Sequence, residues 1–104
     1  MKLTGKCLGV FESWWYKLKL DEKIFKGYEC VIDDFYDSLS SMQYGIYVDF
    51  FDSVGIDIQA TSIIEANHIE YVVRVNLSII ELSFKTRHEA RTEAIKKANE
   101  IYNN

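Results

Sequence analysis

The sequence of 104 residues has no proline, two cysteines, five glycines and, between Gly27 and Val73, not one lysine or arginine. Each scarcity excludes something. Cys7 and Cys30 stand far apart with no C-x-x-C and no set of four Cys/His at metal spacing, so a disulfide scaffold and a structural zinc site are both ruled out. They read as reduced, packed thiols of a cytoplasmic protein. No Gly-rich phosphate loop of the G-x-G-x-x-G or Walker type is present, which removes nucleotide cradling by such a loop. The first apolar stretch is interrupted by Lys2, Lys6, Glu12 and Lys17, so neither a signal peptide nor a membrane span is expected.

What is present is 48% hydrophobic residues, 14% aromatics and 27% charged residues, the balance of a folded domain. The formal net charge of −4 is unevenly spread. Both ends are slightly basic. The basic-free window of residues 27–73 holds Glu29, Asp33, Asp34, Asp37, Asp49, Asp52, Asp57, Glu65 and Glu70. Such a window needs an outlet for its self-repulsion, either the basic ends of the same chain or a basic partner.

Periodicity predicts one α+β domain over residues 1–104: two or three N-terminal helices, a three-stranded antiparallel sheet and a C-terminal helix packed on it. Leu3, Cys7, Phe11, Trp14 and Leu18 recur at helical spacing and predict a helix over 4–18. Asp21 is placed to cap a second helix over 22–39, along which Ile24, Tyr28, Val31, Ile32, Phe35 and Leu39 form a stripe. Ser40-Ser41 breaks that pattern, and a third helix is expected over 43–53 with Gly55 as its left-handed C-cap. A strand over 44–51 competes with this helix, since the run is aromatic and partly alternating.

Strands are expected over 56–64, 69–76 and 78–84, with Asn67 taking positive φ in the turn between the first two. Thr86-Arg87-His88-Glu89 matches a capping box and starts a helix over 87–102.

Candidate chemistry is thin. His68 and His88 belong to no triad or metal motif, and Asp33-Asp34 with Asp37, or Asp49 with Asp52, lack EF-hand spacing. No enzyme constellation, metal or cofactor is predicted. Trp14, Trp15 and Tyr16 among lysines have the composition of a membrane-surface helix, but no second anchor accompanies them and core packing is preferred. Gly5, Gly9 and Ser13 at i,i+4 spacing permit close helix contact, in a homodimer or within the chain.

The expected binding surface is instead the acidic, aromatic-rich middle. Glu29, Asp33 and Asp37 share one helical edge, and Asp49 and Asp52 sit among Tyr44, Tyr47, Phe50 and Phe51, a composition that complements a basic protein partner. The alternative is RNA binding through Lys85, Arg87, Arg91, Lys96 and Lys97.

Two resemblances accompany this reading. Residues 84–98, from Phe84-Lys85-Thr86-Arg87-His88-Glu89-Ala90-Arg91 onward, and the segment Tyr47-Val48-Asp49-Phe50-Phe51-Asp52-Ser53-Val54-Gly55-Ile56 resemble small phage and prophage proteins of Bacteroidetes-type bacteria. That resemblance implies an inhibitor of host defence, of the anti-CRISPR kind, acting on a CRISPR effector nuclease in the host cytoplasm. Residues 43–104 resemble a double-stranded RNA-binding domain in their element order and in the Ala/Lys rhythm of the last helix. The resemblance implies phosphate contacts by Lys85, Arg87 and Arg91. Glu89, Glu93, Asp49 and Asp52 depart from that pattern.

Overall fold

A computed structural model describes residues 1–21, 28–76 and 78–104, with side chains described outside 20–31, 65 and 77–83. Helix α1 (Gly5–Asp21) runs three residues past its expected end. Asp21 falls within α1, because Lys17-Leu18-Lys19-Leu20 are good helix formers that carry the turn onward, and its expected role as cap of the next helix lies outside the described residues. Leu3, Cys7, Phe11 and Trp15, spaced by four, are buried from α1 and the residues before it. Trp15 thus takes the interior position that the sequence assigned to Trp14, which is half-buried with Leu18.

The stretch 22–27 of the expected second helix lies outside the described residues. Helix α2 (Tyr28–Tyr36) ends before Leu39, and Ser40-Ser41 form the first turn of helix α3 (Ser40–Ser53) instead of a break. The cause is local hydrogen bonding. Ser38 Oγ donates to Phe35 O at 2.6 Å, and Gln43 Nε2 donates to Tyr36 O at 3.1 Å and Ser38 O at 3.0 Å. The bonds to Phe35 O and Tyr36 O satisfy terminal carbonyls of α2 and the bond to Ser38 O ties down the turn that follows, while Leu39 turns extended at φ −60, ψ 146.

Residues 43–53 are helical, which settles the competition with a strand. The C-terminus of α3 is a Schellman turn: Gly55 adopts φ +84, Gly55 N donates to Asp52 O at 3.1 Å and Ile56 N to Phe51 O at 2.8 Å. Buried Ile56 and Phe51 supply the apolar contact that accompanies this motif.

Strands β1 (Ile58–Glu65), β2 (His68–Val75) and β3 (Ser78–Phe84) form an antiparallel sheet in the order β1-β2-β3, so β1 is an edge. The β1–β2 hairpin is its regular part, in continuous register from Ile58 opposite Val75 to Glu65 opposite His68. Ala66 and Asn67 close it with φ 37 and 75, the two positive values that a type I′ turn demands. The β2–β3 pairing is interrupted by register shifts between Tyr71 and Arg74. Asn76, at φ 52, leads out of β2, and its Oδ1 accepts from Asp57 N at 2.9 Å.

Helix α4 (Arg87–Asn103) starts where the capping box places it, with Thr86 Oγ1 accepting from Glu89 N at 3.1 Å. It lays Ala90, Ala94, Ile95 and Ala98 on the core, where small side chains let helix and sheet approach closely. The core joins α1, α2, α3, the sheet and α4 around an aromatic cluster. Phe11 is its hub, with ring centroids 5.0 Å from Phe35, 5.0 Å from Tyr47 and 5.3 Å from Phe50. Among the described residues no helix is long and apolar enough to cross a membrane.

Candidate functional site

Five acids were expected to form a binding surface. The backbone of Glu29 falls in α2, and its side chain lies outside those described. Asp33 and Asp37 are exposed, and Asp37 N donates to Asp33 O at 2.8 Å, so the helical geometry reaches Asp37 and stacks the two acids one turn apart. Asp49 and Asp52 are exposed on α3 in the same i,i+3 or i,i+4 relation. The described acids thus form two pairs, one from each helix. Asp34 and Asp57 are exposed as well.

The aromatic part of that expected surface is corrected. Tyr47, Phe50 and Phe51 are fully buried, because α3 turns them toward Phe11, Trp14 and Phe35. Leu39 and Met42, 71% and 55% exposed, are the apolar side chains that remain outside near α3. Among the described residues, Asp33, Asp34, Asp37, Asp49, Asp52 and Asp57 have no Lys or Arg within ion-pairing distance; the ion pairs formed join His68 to Glu70 at 3.2 Å and Lys97 to Glu100 at 4.0 Å. Among the described residues, these six aspartates are therefore not paired with the basic ends of the chain.

The five basic residues do not form one face. Lys85, Arg87, Lys96 and Lys97 are exposed and Arg91 is half-buried. Lys96 borders a hollow of about 390 Å³ beside Met1, Lys2 and Thr4, on the side of α4 that meets the start of α1. Arg87 and Arg91 border a different cleft. At 100° per residue Lys96 lies half a turn of helix from Arg87, which is why the set divides.

The second cleft has a volume of about 290 Å³. Arg87, Arg91, Ala94 and Ala98 follow one another along a single stripe of α4, and that stripe faces the sheet. Where the alanines sit, helix and sheet close on each other. Where the arginines sit, strand β1 offers the small residues Ala60, Thr61 and Ser62, and the space stays open between Tyr44 of α3 and Tyr71 of β2. The Arg91 guanidinium lies 4.9 Å from the Tyr44 ring centroid and that of Arg87 lies 5.8 Å from the Tyr71 ring centroid. Burial pushes the Tyr44 hydroxyl above its ordinary value, and Arg91 pulls it the other way.

No family model, no curated protein and no solved structure matches the chain. The site is therefore read from its own chemistry. Among the described residues no three His, Cys, Asp or Glu side chains gather as a metal set. His68 is exposed and bonded to Glu70, and His88 is exposed. The arginine cleft was missed as a unit because its lining comes from α3, β1, β2 and α4. One signal was available: arginines occurring in phase with the buried alanines of α4, where periodicity calls for apolar residues.

Proposed function

We propose that the protein is a non-enzymatic protein-binding module that acts as a phage-type inhibitor of a host defence protein, presenting its acidic surface to a positively charged nucleic-acid channel of the CRISPR-effector kind. The observation that carries the proposal is the set of exposed aspartates on and beside α2 and α3 with no cationic partner among the described residues. A surface left uncompensated in this way gains most from meeting lysines and arginines of another molecule, and it steers that encounter at low salt. The resemblance of residues 47–56 and 84–98 to small phage proteins supports the biological setting and assigns no residue.

The test pairs the protein with a purified CRISPR effector nuclease from a bacterium of that type and reads guide-directed cleavage and complex formation at increasing salt. Binding that weakens with salt and is lost in the Asp33→Lys, Asp37→Lys, Asp49→Lys, Asp52→Lys variant, with its fold intact by circular dichroism, supports the proposal. Equal affinity of the wild type and the charge-reversed variant removes it.

A further inference from the structure

We infer that the cleft between α4, the β1 edge and Tyr44 is a binding site for the phosphate group of a small molecule, with Arg87 and Arg91 as its ligands. Four observations converge on this assignment. Arg87 and Arg91 are one turn apart on the same side of α4 and border the same cleft of about 290 Å³. Neither has a carboxylate within ion-pairing distance among the described residues, in a chain that carries 16 acids against 12 lysines and arginines. Each guanidinium lies beside a tyrosine ring that borders the cleft, Arg87 5.8 Å from the Tyr71 centroid and Arg91 4.9 Å from the Tyr44 centroid. The sheet beneath them is small and polar, with Ala60 and Ser62 exposed where Ile58 and Val73 fill the neighbouring positions of the same face.

A pair of arginines at one cleft, neither paired with a carboxylate among the described residues, matches oxygen acceptors that carry two negative charges better than a single carboxylate. The cleft is near the lower bound of small-molecule pockets, enough for a phosphate group and a small attached fragment. A nucleic-acid backbone would need a track of cations beyond the cleft. Lys96 is on the opposite side of α4, bordering the other hollow, and Lys97 is beside Glu100 at 4.0 Å. The observations therefore favour a small phosphate-bearing molecule over RNA, and this site is separate from the acidic surface.

The experiment is a titration of the isotope-labelled protein followed by NMR, with inorganic phosphate, a nucleoside 5′-monophosphate, a short single-stranded RNA and acetate at matched ionic strength. Saturable shifts of the Ala60 and Ser62 amides and of the Arg87 and Arg91 Nε–H signals, with a Kd of about 1 mM or tighter for phosphate or the monophosphate, are expected. Phosphate alone matching the monophosphate identifies a free-oxyanion site, and a tighter monophosphate shows that the attached fragment is read too. Arg87→Gln and Arg91→Gln should each weaken binding by roughly tenfold or more, with Arg91→Lys intermediate because it keeps charge and loses the fork. Ser62→Leu, which fills the cleft from an exposed strand position, should abolish binding with no change at Arg87 or Arg91 themselves. Four results would overturn the assignment: no saturable shift with either phosphate probe, shifts equal to those from acetate, binding unchanged in the folded variants, or RNA binding while both small probes are silent.

Discussion

Asn103, the last residue of α4, accepts a hydrogen bond at its Oδ1 from the backbone N–H of Cys7 at 2.9 Å, 96 residues away in the chain. Its Nδ2 donates to Thr4 O at 2.9 Å, while Asn99 Oδ1 accepts from Thr4 N and Asn99 Nδ2 donates to Thr4 Oγ1, both at 2.9 Å. Helix α1 has no acidic residue in its first turn, and its start is capped from another element. Gly5 permits the approach: it adopts φ +62, and a Cβ there would lie 3.2 Å from the Asn103 side chain.

Asn103→Ala removes both bonds and leaves an amide of the first turn of α1 unpaired. The expected loss is about 1–2 kcal/mol, the usual cost of deleting a helix cap, read as a lower midpoint in urea with unchanged slope. Gly5→Ala should cost at least as much, because the new methyl group meets both the left-handed backbone and Asn103. A stability equal to wild type in both variants would show that the cap contributes nothing.

Tyr36 should tolerate loss of its hydroxyl. That oxygen is buried with no hydrogen-bond partner among the described residues, and burial pushes its ionisation upward, with Glu12 adding to the effect. Removing an unsatisfied buried polar atom while keeping the ring against Phe35, 5.1 Å away, leaves packing intact. Tyr36→Phe is expected to be neutral or stabilising by up to about 1 kcal/mol in thermal unfolding. A clear loss would reveal a partner for the hydroxyl.

The β1–β2 turn holds Ala66 at φ 37, a conformation that an L-residue with a Cβ adopts at a cost. Replacing Ala66-Asn67 by Asn-Gly installs the pair that type I′ turns prefer. The double variant should gain about 1 kcal/mol and melt several degrees higher. An unchanged melting temperature would mean that the strain is relieved elsewhere.

Cys7 is fully buried, and desolvation raises its thiol from an ordinary value of 9.0 to about 11. The folded protein therefore holds the proton that the unfolded chain releases. Stability attributable to this group is present below about pH 9 and is lost as pH rises through about pH 11, roughly 2–3 kcal/mol in all. Tyr36, Tyr44 and Tyr47 are shifted upward as well and add to the alkaline loss. Cys7→Ala should flatten the fall between about pH 9 and about pH 11, and the wild-type thiol should react with a disulfide reagent only as fast as the protein opens. A steep alkaline fall that Cys7→Ala leaves untouched would place the cause in the tyrosines alone.

Local chemistry determined what the sequence could show. The Thr86 cap, the Gly55 turn and the first two strands depend on neighbours within a few residues, and they stand close to where pattern reading puts them. The charge window was legible too, since the absence of lysine and arginine over 47 residues needs no structure to be seen. The end of α2 was misplaced because a side chain from the next helix intervened, Gln43 taking the carbonyl of Tyr36.

Only the tertiary structure decided which acids lack partners among the described residues, that Tyr47, Phe50 and Phe51 belong to the interior, and that Arg87 and Arg91 share a cleft that Lys96 and Lys97 do not. The reason is physical. A cap or a turn is fixed by hydrogen bonds across three or four residues, whereas a cleft exists only where elements remote in sequence stop short of touching. The small residues Ala60 and Ser62 on β1 and the arginines of α4 each obey their own local pattern, and the space between them is a property of the packed molecule.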